Sequence, residues 1–194
     1  MIDLSMTFER MKEEIKFREY IVDETISPNE NPEYFSGFDN LKYLSKNNLS
    51  FKDARCLNGH YNERAFGNLG KRCSSLKDVF REMQYNAFMH GNKWDKELSI
   101  SVKTGYGDEG FVIQLIDSGE GFDYFATFEK SKKNEHGNHK GAGFRCFNLY
   151  PSNKISFEGK GNIVNAMTKF SGDDLKLWQD NIMIHNLPSK FDSL

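Results

Sequence analysis

An α+β fold, with helices packed on a mostly antiparallel sheet, is the architecture the sequence predicts, and three stretches predict it. Ser75 to Gly91, SLKDVFREMQYNAFMHG, has the periodicity of one amphipathic helix. Leu98–Lys103 and Phe111–Ile116 alternate with period two on either side of TGYGDEG. Ile155–Glu158 and Ile163–Phe170 do the same around Gly159-Lys-Gly-Asn162. A long amphipathic helix and two hairpins bury their apolar faces against one another in such a fold.

The composition permits a packed core and narrows the function classes. The chain has 194 residues, enough for one domain with an extension, and 17 phenylalanines to fill it. Lys and Arg total 26 against 28 Asp and Glu. That balance leaves no basic footprint, so no nucleic-acid partner is expected. No run approaches the ~18 apolar residues of a membrane span, and the acidic N-terminus lacks a signal-peptide pattern. Cys56, Cys73 and Cys146 are odd in number and widely spaced. They form neither a metal-ligand pair nor a disulfide framework and fit a reducing, cytoplasmic setting as apolar fillers.

In chain order, residues 3 to 24 lack Gly and Pro and read as helical, with Leu4, Phe8, Met11, Ile15 and Val22 on a heptad-like seam interrupted by Arg18. That seam packs on the domain or makes a homodimer contact. SPNENP, from Ser27 to Pro32, is a turn or linker. From Glu33 to Gly70 the text is irregular, with one or two short helices expected. The division expected is a partly helical extension over 1–70, the main domain over 71–171 and a C-terminal tail over 172–194, helical around Leu175–Trp178.

The helix at Ser75–Gly91 carries two stripes. Leu76, Val79, Phe80, Met83 and Ala87 face a core. Glu82, Asn86 and His90 are four apart and stack in a polar row at the edge of the apolar stripe. Such a row is either a capped surface face or the wall of a pocket whose polar ligand satisfies it. After the first hairpin comes Asp117-Ser-Gly-Glu-Gly-Phe-Asp123. A carboxylate at a strand end followed by Gly119 and Gly121 lets the backbone approach a flat ligand, although many strand-to-turn junctions read the same way. Asp123 to Lys130 forms a short helix. Ser131–Lys140, SKKNEHGNHK, is either a solvated surface loop or a lid bringing Lys132, Lys133, His136, His139 and Lys140 toward an anion. Gly141-Ala142-Gly143 then precedes a helical pattern from Phe144 to Tyr150, and glycines at a helix start expose N–H groups to a phosphate.

In fixed order these signals combine. E-x-x-x-N-A-x-x-H-G on a helix, D-x-G-x-G after a strand, and a polar lid closed by G-x-G resemble the Bergerat-fold (GHKL) ATP-binding superfamily from Ser75 to about Phe170. That superfamily holds heat-shock chaperones, type II topoisomerases, mismatch-repair ATPases and histidine kinases. The compact lid, the His-Gly-Asn helix end and the Gly159-Lys-Gly161 hairpin are most similar to its anti-sigma-factor serine/threonine kinase branch. Asn162 stands where that branch commonly has Thr, and Gln84 and Tyr85 are larger than its usual residues. The resemblance implies a two-layer α/β sandwich, a mixed, mostly antiparallel sheet with helices on one face.

It also implies ATP and Mg²⁺ as cofactors. Asn86 resembles the metal-holding amide, suited to a hard cation that takes oxygen ligands. Glu82 resembles the general base, Asp117 the adenine-reading carboxylate, and Gly119 and Gly121 the backbone against which the base lies. Lys140, Gly141, Ala142, Gly143 and Phe144 correspond to the phosphate-binding end of the lid, and His90 lines the pocket or bonds the lid. The expected function is an ATP-dependent regulatory protein kinase or ATPase acting on a protein partner: a sigma factor, its antagonist or another signalling protein. The alternatives are the ATP-binding half of a split histidine kinase and a non-catalytic nucleotide-controlled binding module. His60 has no neighbouring proline of the acceptor-box kind and reads as an ordinary loop histidine.

Overall fold

The computed structural model describes residues 1–27, 74–133, 144, 147, 152–173, 175, 176 and 179, with backbone alone for 74–78 and 81. The first elements are helix α1 (Phe8–Glu14), strand β1 (Phe17–Ile26) and helix α2 (Ser74–Asn86), which continues into a π-helical turn (Ala87–Gly91). Strands β2 (Ile100–Gly107) and β3 (Gly110–Asp117), helix α3 (Tyr124–Lys132), and strands β4 (Asn153–Glu158) and β5 (Ile163–Lys169) follow. The strands form one five-stranded sheet in the order β1-β2-β3-β5-β4. All four ladders are antiparallel, with one isolated parallel bridge between Ile2 and Ile155.

Both expected hairpins form, and the β3–β5 ladder fuses them into one sheet. The first runs longer than its alternation suggests. Thr104 to Gly107 continue β2, and the turn is reduced to Asp108 and Glu109. Gly105 and Gly107 belong in the strand because their neighbours leave no room for a side chain. A β-carbon on Gly105 would stand 2.6 Å from the Phe17 ring, and one on Gly107 2.2 Å from the Ile15 carbonyl oxygen.

The helix expected across residues 3–24 is two elements. Thr7 caps α1 by accepting from the Arg10 N–H. The helix then stops at Lys16, whose φ of 53° is left-handed. From Phe17 the β-branched content of Ile21, Val22, Thr25 and Ile26 favours an extended strand, and β1 pairs along β2 as a sheet edge. The heptad-like seam is thereby divided. Phe8, Met11 and Ile15 pack with Val112 and Met167, while Val22 belongs to a separate cluster.

These two clusters occupy opposite faces of the sheet. Phe111, Ile113 and Leu115 of β3, with Val164 and Ala166 of β5 and Ile155 and Phe157 of β4, face Val79, Phe80 and Met83 of α2 and Ala87 of the π turn. Alternation along β3 and β5 sends Val112 and Met167 the other way, beneath α1. The helices of the main domain thus lie on one face, and α1 of the N-terminal extension packs on the other. Alpha-helical cover lies on both faces, because α1 folds back over β3 and β5 instead of continuing outward.

Candidate functional site

The site is built around the end of α2. Its core-facing residues are buried as their spacing demands: Val79, Phe80 and Met83 are fully inaccessible, and Ala87 nearly so. They fix the rotation of the helix, which puts Glu82 at the rim of the core. Glu82 is only 8% exposed. Its Oε1 accepts from Asn86 Nδ2 at 3.0 Å, so two members of the polar row satisfy each other across one helical turn. Burial raises the Glu82 pKa above its ordinary range, and the Asn86 bond opposes part of that rise. With Nδ2 donated to Glu82, Oδ1 is the atom of the Asn86 amide suited to a hard cation.

His90 does not join this pair. The helix closes through the Asn92 N–H to the Ala87 carbonyl at 2.7 Å, an i→i+5 bond, and the wider π turn carries His90 off the row to an exposed position. Partial desolvation holds its imidazole below the ordinary value.

The π turn delivers Gly91 to the end of β3, where Asp117 is 8% exposed. Gly91, Asp117 and Gly119 form one close-packed wall: a β-carbon on Gly91 would meet Asp117 Cγ at 2.3 Å, and one on Gly119 would meet the Gly91 carbonyl oxygen at 2.3 Å. Asp117 Oδ1 accepts from the Gly119 N–H at 2.9 Å. Burial raises the Asp117 pKa, with that bond acting against it. Asn86 is joined to Gly91 by the π turn alone. The Glu82–Asn86 pair and Asp117 thus belong to one continuous helix end and the strand it meets.

The rest of the loop is clasped to the second hairpin. Gly121 has φ 79° and Gly161 φ 90°, conformations that favour glycine. A β-carbon on Gly121 would lie 2.2 Å from the Lys160 carbonyl oxygen, to which the Phe122 N–H donates at 2.8 Å. Asn162 anchors Asp117 itself. The Asp117 N–H donates to the Asn162 carbonyl at 3.0 Å, and Asn162 Nδ2 donates to the Asp117 carbonyl at 3.2 Å. Asp123 caps α3 by accepting from the Ala126 N–H at 2.8 Å, so the expected helix after the loop is present.

Phe144 is buried in an aromatic group, stacked on Phe157 at 5.3 Å between ring centres and edge-on to Phe122 at 6.5 Å. Ser131–Lys133 close α3, while the remainder of the expected lid, with Lys140, Gly141, Ala142 and Gly143, lies outside the described residues. His60, the Pro28–Pro32 linker, the short helices of 33–70 and the three cysteines also lie outside them. Among the described residues no three His, Cys, Asp or Glu side chains converge as a metal site. Nor is any described helix long and apolar enough to cross a membrane.

Sequence reasoning gave no role to Asn92, the residue that ties this site together. It is 1% exposed, donates through Nδ2 to the Leu98 and Ser99 carbonyls, and accepts at Oδ1 from the Ser118 N–H. The available signal was an asparagine directly after His-Gly at a helix end, where its amide can bond exposed backbone groups. No family model matches the chain, and no curated protein matches it.

Proposed function

We propose that the chain binds ATP with Mg²⁺ and acts as a regulatory protein kinase or ATPase of the kind its motifs resemble, the anti-sigma-factor serine/threonine kinases. The observation that carries this reading is the buried Glu82, hydrogen-bonded to Asn86, on the same helix whose last residue, Gly91, underlies the buried carboxylate of Asp117. A carboxylate raised in pKa by burial, beside an amide oxygen able to hold a hard cation, is a donor set suited to phosphoryl transfer. A second carboxylate, held in a wall of glycines, is suited to accept from the exocyclic amine of a purine.

In this reading Asn86 Oδ1 would hold Mg²⁺. When bound, the metal would neutralise charge on the phosphates. Glu82 takes the proton of an attacking water or protein hydroxyl. Desolvation suits it to that task, because a more basic carboxylate accepts the proton more readily. Asp117 orients the base, and the close approach of Gly119 lets the ring lie against backbone. The fold supports the same reading as a two-layer sandwich of α2 on the sheet, with α1 added on the far face. The protein partner is a sigma factor, its antagonist or another signalling protein that offers a hydroxyl to the γ-phosphate.

Calorimetric titration of the full chain with ATP and Mg²⁺ tests this directly. Saturable binding that requires Asp117 is expected. Absence of binding at millimolar nucleotide overturns it.

A further inference from the structure

Two asparagines flank Asp117, and they act on it differently. Asn162 holds the Asp117 backbone from the hairpin side. Asn92 acts through the neighbouring residue, joining three segments: the end of the π turn, the entry to β2 and the residue after Asp117. Its Nδ2 donates to the Leu98 carbonyl at 3.0 Å and the Ser99 carbonyl at 3.1 Å, and its Oδ1 accepts from the Ser118 N–H at 3.0 Å. A side-chain amide supplies two donors and an acceptor on one planar group, which neither a carboxylate nor a hydroxyl reproduces.

The backbone beyond Asn92 is strained in a way that needs such a fixture. Lys93 (φ 52°) and Trp94 (φ 62°) are consecutive left-handed residues, neither of them glycine. Conformations of that kind persist only where the surroundings over-determine them. Here the Asn92 bonds do so, with the Trp94 N–H donating to the Phe88 carbonyl at 2.8 Å.

Resting on the nucleotide reading above, the structure assigns Asn92 the role of a positioning residue for base selectivity. By holding Ser118 it keeps the Asp117 carboxylate in one place over Gly91. There the carboxylate accepts from a 6-amino purine and opposes a 6-oxo purine, whose carbonyl oxygen would face another acceptor. Discrimination of this kind requires an acceptor that cannot swing away. Ser118 Oγ, which donates to the Ser99 carbonyl at 2.9 Å, braces the same junction.

The test combines nucleotide titrations with amide exchange. Wild-type chain and Asn92→Ala are titrated by calorimetry with ATP and, separately, GTP, each with Mg²⁺. Backbone amide exchange at Ser118 is followed by NMR without nucleotide. In the wild type the Ser118 N–H is expected to exchange as slowly as the ladder amides of β3, and in Asn92→Ala it loses that protection. ATP affinity is expected to fall about tenfold or more while GTP affinity holds or rises, so that the ratio of the two collapses.

A purely structural role would weaken both nucleotides alike, so an unchanged ratio overturns the assignment. Rapid exchange of Ser118 in the wild type overturns it without any variant, and thus also where Asn92→Ala fails to fold. A wild type that binds neither nucleotide overturns the selectivity role together with the nucleotide reading. Slow Ser118 exchange would then locate the failure in that reading and leave the Asn92 clamp standing.

Discussion

The carboxylate of Asp117 lies directly over the α-carbon of Gly91. A β-carbon there would stand 2.3 Å from Cγ and 2.4 Å from Oδ1, far inside van der Waals contact. The glycine is required by space and not by an unusual φ, so even alanine must displace Asp117 or the π turn. Gly91→Ala is therefore expected to cost about 1–3 kcal/mol, the range for overpacking a close-fitted site. At this chain length that lowers the thermal midpoint by roughly 2–4 °C for each kcal/mol. Nucleotide affinity is expected to fall further than stability does, since the displaced group is the proposed base reader. Wild-type midpoint and affinity in Gly91→Ala would refute the close packing.

Glu82 separates binding from turnover. Its side chain is buried beside Asn86, one turn before the π helix, and in the proposed mechanism it takes a proton without holding the nucleotide. Glu82→Ala is expected to retain ATP binding by calorimetry and to lose about 10²–10⁴-fold in phosphoryl transfer or hydrolysis, the usual worth of a general base. Unchanged turnover in that variant removes Glu82 from the mechanism.

Much of this arrangement is legible in the sequence where one local rule acts unopposed. The stripe of Val79, Phe80, Met83 and Ala87 is buried as its spacing predicts, both hairpins pair, and Asp123 caps the helix that follows it. The misreadings have particular causes. Residues 17–24 read as helix because they lack Gly and Pro and Val22 falls seven residues after Ile15, on the heptad-like seam. The stop signal, Lys16 in a left-handed conformation, is not the glycine that usually marks a helix end. Thr104–Gly107 read as a turn because glycine commonly makes one, whereas here Phe17 and Ile15 press on the strand and only glycine leaves room. The π turn has no sequence signature, so a regular helical repeat puts His90 in line with Glu82. The bonds of Asn92 are not legible in the sequence because its partners, at Leu98, Ser99 and Ser118, are brought to it only by the fold.

Burial of Glu82 also sets a pH dependence with a definite sign. Its folded pKa is raised above the ordinary 4.5, so between those two values the folded chain holds a proton that the unfolded chain releases. Stability from this group therefore falls as pH rises through the folded pKa, and it is regained as pH drops toward 4.5. Asp117, raised above 3.8 by burial, has the same sign over its own window. Glu82→Gln keeps the size and an acceptor for Asn86 but cannot ionise. In urea denaturation the variant is expected to exceed wild type most at neutral pH, with the advantage shrinking as pH is lowered toward the ordinary carboxylate value. A difference independent of pH would show that Glu82 ionises in the folded chain as freely as in water.

The edge strand β1 admits a coupling test through Gly105 and Phe17. A β-carbon on Gly105 would lie 2.6 Å from the Phe17 ring and 2.8 Å from the Glu19 carbonyl oxygen. The first obstacle is a side chain and can be removed; the second is backbone and cannot. Gly105→Ala alone is expected to destabilise by about 1–3 kcal/mol through overpacking. In the Phe17→Ala background the same substitution should cost less, because only the carbonyl contact remains. A double-mutant cycle by urea denaturation should then give a favourable coupling within the 0.5–3 kcal/mol range typical of touching residues. Residues 17 and 105 would not couple if residues 3–24 formed a single helix extending away from the sheet, so strictly additive effects would refute the pairing of β1 with β2.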